Sequence, residues 1–381
     1  MTNPTDPAVP TECIELRSTV TDDGKVTLAQ VQSDVGPLGG DQVLVRVEAA
    51  PINPSDLGML FAGGDVSTAS AVDLELPAVA VSLSAGVLAA QAGRLGKPMP
   101  VGNEGGGTVV AAGESGPAQA LVDKVVGFLS GNAYAQFRVL NVTQCLAMAD
   151  GTDPADAAAA FVNPLTALGM VETMRSEGHS ALVHTVGASN LGLMLQRICN
   201  DEGVGLVNIV RKSEHVALLR GQGAEHVCDS SADSFIDDLT DALRATKATI
   251  AFDAIGGGDL TTTLLTCMEK VASEADEFSR YGSDTHKQVY IYGGLDRGPT
   301  TLRRNFGMSW SVGGWLLTPF LAKIGQEGAD RLRQRAADEI TTTFASSYGM
   351  RLSLDDVVDP EMVKRYGAMA TGDKALVTPQ A

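Results

Sequence analysis

ALVHTVGASNLGLMLQRICNDE, residues 181 to 202, is the stretch whose reading decides the fold. Ala181 to Val183 form a short apolar run that reads as a buried strand. A turn of small residues follows, Gly187-Ala188-Ser189-Asn190. Leu191, Met194, Leu195 and Ile198 then recur at helical spacing, which predicts a helix starting near Asn190. Strand, tight turn and helix in this order make the first crossover of a dinucleotide-binding fold. There the N–H groups of the turn and the positive end of the helix dipole hold a pyrophosphate.

The glycine fingerprint of such turns is only partly kept. Gly192 stands where the third glycine of G-x-G-x-x-G belongs, and Ser189 and Asn190 occupy the middle of the turn. Asparagine tolerates left-handed backbone angles. The succession downstream strengthens the reading. Gly205 to Val210 is a second apolar strand, after which Ser213-Glu214 is expected to cap a helix carrying Val216 and Leu219. Val227-Cys228 is a third strand, and Asp233 opens a helix with Ile236, Leu239 and Leu243 on one side. Thr249 to Ala254 is a fourth strand running into Ile255-Gly256-Gly257-Gly258, and Gln288 to Tyr292 a fifth ending in Gly293-Gly294. Strands alternating with amphipathic helices predict an α/β fold with a doubly wound parallel sheet.

The chain has 381 residues, which suits two domains, and its 44% hydrophobic content is ample for buried cores. A net charge of −18 argues against a nucleic-acid partner, which requires a basic face. Cys13, Cys145, Cys199, Cys228 and Cys267 show no C-x-x-C pairing and suggest neither a disulfide framework nor a zinc cluster. Residues 1 to 12 read as a polar, mobile tail rather than a signal or transit peptide, and no apolar run reaches membrane-spanning length. A cytoplasmic protein is expected.

From Ile14 to about Val142 the pattern is β-rich. It contains Val43 to Val47, the loop Ile52-Asn53-Pro54-Ser55-Asp56, the run Gly102-Asn103-Glu104-Gly105-Gly106-Gly107-Thr108-Val109-Val110, then Asp123 to Phe128 and Ala133 to Phe137 as further strands. INPSD, GNEGGGTVVAAG, DKVVGF and AYAQF, in that order ahead of a Rossmann unit, resemble the medium-chain dehydrogenase/reductase superfamily. Within it the chain is most similar to the zinc-free NADPH:quinone oxidoreductase branch. The resemblance implies a GroES-like β-rich catalytic domain (1–158 and 340–381) with a Rossmann NADP-binding domain (159–339), and an active site in the cleft between them. It also implies a homodimer, with the apolar stretch Met308 to Ile324 at the cleft and dimer interface.

Departures from the family pattern are informative. Zinc-dependent members place a Cys ligand in the segment reading Asn53 to Asp56 and a His just before Glu104, and this chain has neither. A catalytic zinc needs three protein ligands, so no metal is expected. A segment of about residues 65 to 97 is inserted. In it, Val79 to Leu95 has helical spacing and reads either as a wall over the substrate cleft or as a surface excursion. The tyrosine that serves enoyl-thioester reductases of the superfamily falls near Gly64 and is absent, so no catalytic residue is assigned.

The cofactor-binding residues expected are Gly187, Ser189, Asn190, Leu191 and Gly192 of the turn, together with Ile255 and Gly293 at strand ends. The resemblance adds Asn53, Thr166 on the helix following Asn163-Pro164, and Lys374 of the closing segment 371–377. Asp150 to Ala160 is expected to start a helix ahead of Thr166, which could alternatively be a helix cap. His184 reads as a packed residue. Arg211 and Lys212 follow the second strand where NAD-specific members carry an acid, and two cations suit the 2′-phosphate of NADP(H). The function expected is hydride transfer from NADPH to a small-molecule quinone or enone, without zinc. The alternatives are an NADPH-binding sensor or structural protein on a retired reductase scaffold, or an enoyl-thioester or 2-alkenal reductase.

Overall fold

A computed structural model describes residues 10–274, 278–369, 372 and 374–381. The proposed mobile tail falls mostly outside these residues, as do Thr371 and Asp373 of the closing segment. The chain forms two compact units, one of residues 1–162 with 333–381, the other of 163–332.

The second unit is built on a six-stranded, wholly parallel sheet. In chain order its strands are Ala181–Thr185, Gly205–Val210, His226–Asp229, Ile250–Asp253, Lys287–Ile291 and Trp310–Gly314. In space they run third, second, first, fourth, fifth, sixth. The order reverses between the first and fourth strands, where a doubly wound sheet opens a crevice at the strand C-termini. The central strands Ala181–Thr185, Gly205–Val210 and Ile250–Asp253 are buried along nearly their whole length rather than alternating. The helix Asn190–Glu202 buries Leu191, Met194, Leu195 and Ile198, the residues whose spacing predicted it. Gly203, in the left-handed region at φ 64, ends it.

The first unit is mostly antiparallel. A five-stranded sheet orders Asp65–Ala71, Ala78–Ser82, Lys25–Asp34, Glu12–Val20 and Met99–Pro100. A seven-stranded sheet contains Gln42–Pro51 and Glu104–Ala112, with the late strands Met350–Leu352 and Ala375–Val377 at one end. Glycines 105 to 107 serve close packing here. A β-carbon on Gly107 would lie 2.0 Å from the Arg46 carbonyl oxygen, and one on Gly106 2.4 Å from that of Pro154.

Several local expectations are corrected. Val79 to Leu95 is not one helix: Ala78–Ser82 is a buried strand inserted into the five-stranded sheet, and the helix is only Ala85–Ala90, with no buried residue. Its small residues mimic helical spacing because a fully buried strand shows no alternation. Ala133 to Gln136 are not a continuous strand: Ala135 makes an isolated antiparallel bridge to Glu15, and the strand proper begins at Phe137. The helix expected from Asp150 shrinks to Pro154–Ala157. Lys212, not Ser213, is the cap residue of the helix Ser213–Gly221. The polar composition of residues 272–287 suggests a surface loop, but Ser283 and Lys287 within it are buried. No helix among the described residues is long and apolar enough to cross a membrane.

Candidate cofactor-binding site

The turn after the first parallel strand is shaped by backbone geometry. Val186 sits in the left-handed region at φ 59, a costly position for a β-branched residue. The Gly187 N–H donates to the Ile209 carbonyl at 3.0 Å, which ties the turn to the second strand. Ser189 caps the helix, its hydroxyl accepting from the Gly192 N–H at 3.1 Å. A β-carbon on Gly192 would fall 2.2 Å from the Gly187 carbonyl oxygen, so this position performs the close packing expected of the third glycine. The positive end of the helix dipole lies at Asn190 and Leu191, on a turn with no large side chain. A helix start of this kind can accept an anionic group such as a phosphate.

Around the turn the strand ends are stitched together. Thr185 Oγ1 donates to Asp253 Oδ1 at 3.0 Å and accepts from the Ala254 N–H at 2.8 Å, joining the first and fourth strands where the strand order reverses. The buried Asp253 carboxylate also accepts from the N–H groups of Ile255 (2.9 Å) and Gly256 (3.2 Å). Gly293 lies against the same strand end, since a β-carbon there would be 2.5 Å from the Ala254 carbonyl oxygen. Ile255 and Gly293 are therefore held beside one another. Thr185 and Asp253 were not among the expected site residues. The signal that could have found them is an acid inside an apolar strand just before a glycine run, because a buried carboxylate requires donors.

Arg211 and Lys212 are both exposed at the end of the second strand. Lys212 Nζ lies 3.3 Å from Glu214 Oε1, an exposed pair of small energetic weight. Thr166 is buried inside the helix Val162–Ser176, a turn past its start, and is not a cap. Trp315 packs on Gly169 of that helix and donates its indole N–H to Thr173 Oγ1 at 3.0 Å. His184 is fully buried with Nε2 2.7 Å from the Tyr292 hydroxyl, and burial pushes its pKa down to about 3. It is a neutral, packed histidine.

Asn53 and Lys374 belong to the first unit, where they flank a pair of buried carboxylates. Asn53 Nδ2 donates to Glu104 Oε1 at 2.8 Å, and Glu104 Oε2 accepts from the Phe161 and Val162 N–H groups at 3.1 and 2.8 Å. Asp56 accepts from the Asn53 N–H and from both the N–H and the side-chain amide of Asn103. Burial pushes the Asp56 carboxyl up to about 7, against those backbone donors, with the Glu104 charge adding to the rise and Lys374 opposing it. Burial lowers the Lys374 ammonium while Glu104 and Asp56 act to raise it. The Lys374 Nζ and the Asn53 side-chain Oδ1 are buried without a hydrogen-bond partner. A β-carbon on Gly64 would already lie 2.8 Å from Val81, so a large side chain does not fit there. Among the described residues, no three His, Cys, Asp or Glu side chains are grouped to hold a metal ion.

No model of a known protein family matches the chain. It is 27% identical over 172 residues to a quinone oxidoreductase of Pseudomonas aeruginosa, covering 44% of this chain and 53% of that one. It is 26% identical over 271 residues to a mitochondrial enoyl-[acyl-carrier-protein] reductase of Xenopus tropicalis, covering 69% and 64%. The chain spans about half the length of most of the curated relatives it matches. Among solved structures, a Mesorhizobium loti protein described as an NADPH:quinone reductase matches with a TM-score of 0.72 at 25% identity, over 98% of this chain and all (100%) of that one. The Escherichia coli quinone oxidoreductase complexed with NADPH matches with a TM-score of 0.67 at 15% identity, over 97% and 100%, a likeness of fold.

Proposed function

We propose, from the premise that this chain is built like the NADPH:quinone oxidoreductases of the medium-chain dehydrogenase/reductase superfamily, that it is an oxidoreductase taking hydride from NADPH to a quinone or another conjugated carbonyl, without zinc. The observation that carries the reading is the turn at 186–192, with its serine cap, its glycine–glycine approach and a basic pair at the neighbouring strand end. The nicotinamide, when bound, supplies the hydride. The chain supplies the phosphate-binding turn and the hydrogen-bonded strand ends at Ile255 and Gly293. Reducing an isolated ketone leaves full charge on one oxygen and calls for a Lewis acid. A conjugated acceptor spreads that charge, so neutral hydrogen-bond donors give sufficient help. Protonation is assigned to water.

With quinones, enones, a 2-enoyl thioester and a secondary alcohol–ketone pair offered side by side, a quinone or enone should turn over fastest. Fastest turnover of the alcohol–ketone pair would refute the mechanism. The thioester winning would favour the second reading, which the enoyl reductase relative supports. NADPH binding with no turnover of any acceptor would favour a sensor or structural role.

The cofactor preference is assigned to Arg211 and Lys212. A charge-assisted contact to a phosphate contributes about 1.5–3 kcal/mol, roughly one to two decades of affinity. The double substitution Arg211→Ala/Lys212→Ala should weaken NADPH binding by about that factor and leave NADH binding nearly unchanged in fluorescence titrations. Equal loss for both cofactors would count against the assignment.

The protein is further proposed to be a homodimer. The outer strand Trp310–Gly314 leaves one edge of the six-stranded sheet unpaired, between exposed Met308 and Leu316. Light scattering at micromolar concentration should give twice the chain mass, and a monomer mass would end this proposal.

A further inference from the structure

A run of side-chain amides leads from the interior of the second unit, at buried Asn208 and Gln196, to its surface at exposed Asn200, and belongs to none of the features above. Asn208 lies in the second parallel strand and is fully buried. Its Nδ2 donates to Gln196 Oε1 at 2.6 Å. Gln196 Nε2 donates to Asn200 Oδ1, also at 2.6 Å, and Asn200 Nδ2 donates to the Gln222 carbonyl oxygen at 2.9 Å. Gln196 and Asn200 are one turn apart on the helix that starts at the nucleotide turn.

The direction of this run is forced. A backbone carbonyl can only accept, so Asn200 must present its NH₂ group to Gln222 and its oxygen to Gln196. Gln196 must then present its oxygen to Asn208, and Asn208 must donate. The Asn208 carbonyl oxygen is left at the far end, buried and with no hydrogen-bond partner. It lies against Gly187: a β-carbon on that glycine would be 2.7 Å from Asn208 Oδ1 and 2.9 Å from Asn208 Cβ. A side chain locked at one end by three consecutive hydrogen bonds thus forms the floor of the turn. An apolar cluster of Ala188, Val210, Leu219 and Ala224 supports the same turn without fixing its orientation.

We propose that the Asn208–Gln196–Asn200 amide run is a positioning device that holds the turn at Gly187 in its phosphate-binding shape, with Asn208 as its contact residue. The inference rests on the assignment of that turn to NADPH. Gln196 and Asn200 each donate and accept, and Asn208 donates, so replacing any one by an apolar side chain leaves a neighbour's polar atom without its partner, whereas packing alone would be preserved. Asn208→Asp is the sharpest change, since it replaces the donating group by an acceptor that faces the Gln196 oxygen at nearly constant volume.

Two measurements test it, on full-length protein. Without cofactor, amide hydrogen exchange at residues 186–192 should quicken at least about tenfold in Gln196→Met and Asn208→Asp, with the helix centre and the outer strands unchanged. With cofactor, the NADPH dissociation constant of the same variants should rise about tenfold, while kcat at saturating NADPH stays within about twofold. Asn200→Ala, farther from the turn, should show the same pattern more weakly and serves if either first variant fails to fold. Unchanged exchange at the turn in folded variants overturns the proposal, as does uniformly faster exchange throughout the unit. Faster exchange at the turn in a protein whose wild type binds no NADPH would support the positioning role and refute the cofactor assignment instead.

Discussion

Gly192→Ala should cost the protein at least about a hundredfold in NADPH affinity, equivalent to about 2.7 kcal/mol. The added methyl would meet the Gly187 carbonyl oxygen at 2.2 Å, its carbonyl carbon at 2.6 Å and its α-carbon at 2.9 Å. All three are backbone atoms, so no rotamer change relieves the overlap. Either the helix Asn190–Glu202 moves away from the turn or the turn opens. Both break the Ser189 cap on the Gly192 N–H and misdirect the N–H groups that would face a pyrophosphate. Overpacking of this kind costs about 1–3 kcal/mol of stability, so the variant should still fold, and a thermal melt will show whether it does. Gly221→Ala is the matched control, at the end of a neighbouring helix with nothing within 4 Å of the added carbon. Fluorescence titration of both with NADPH decides the matter. A Gly192→Ala dissociation constant within threefold of wild type would show that the turn is not where the phosphates bind.

The second large effect lies at the opposite end of the parallel sheet. Lys287 opens the fifth strand with its side chain wholly buried, and its ammonium donates to Glu269 Oε2 and, at 3.0 Å, to Ser283 Oγ. Glu269 further accepts from the Ser283 N–H, the Ser283 hydroxyl and the Ser273 hydroxyl at 2.8, 2.8 and 2.9 Å. Removing one member of such a pair leaves an uncompensated buried charge and costs about 3–5 kcal/mol. Glu269→Ala and Lys287→Met should each do so, while the double substitution Glu269→Leu/Lys287→Met should recover much of the loss. Burial works to raise the Glu269 pKa, but its hydrogen bonds from Lys287 and the serines outweigh that and hold it below the ordinary value. A depressed carboxyl stabilises the fold fully above its unfolded pKa, about 4.3, and loses that contribution as pH falls through the lower folded value. Wild-type stability should therefore fall steeply below about pH 4.3, and the double variant's should fall less in that window. Both tryptophans, Trp310 and Trp315, lie in this unit, so urea melts followed by tryptophan fluorescence report on it alone. Single variants within 1 kcal/mol of wild type would show that the pair contributes little.

The parallel-sheet unit was largely legible in the sequence because its strands are short, apolar and separated by helices of clear periodicity. Leu191, Met194, Leu195 and Ile198 are all buried as their spacing required. Residues fixed by tertiary context were less visible. Ala78–Ser82 reads AVAVS, which carries no period to separate strand from helix, and only its two flanking partners make it a strand. Lys287 sits in a polar stretch and reads as surface until its two partners, Glu269 remote in the chain and Ser283 brought close by a turn, are seen. Of the candidate site, the turn from Gly187 to Gly192 followed from local chemistry alone. The Thr185–Asp253 stitch and the Asn208 run did not, since they join strands and helices whose proximity only the folded sheet creates.

The inserted strand also sets the terms on which this chain can be cut or spliced. Ala78–Ser82 hydrogen-bonds to Lys25–Asp34 on one side and to Asp65–Ala71 on the other. Removing residues 65 to 97 would uncover the backbone of Lys25–Asp34 as a fresh edge, an invitation to self-association. The modular boundary lies farther along, at Ala85–Ala90, a helix with no buried residue, where a tag, a label or an extra loop can be accommodated without disturbing a single strand pairing.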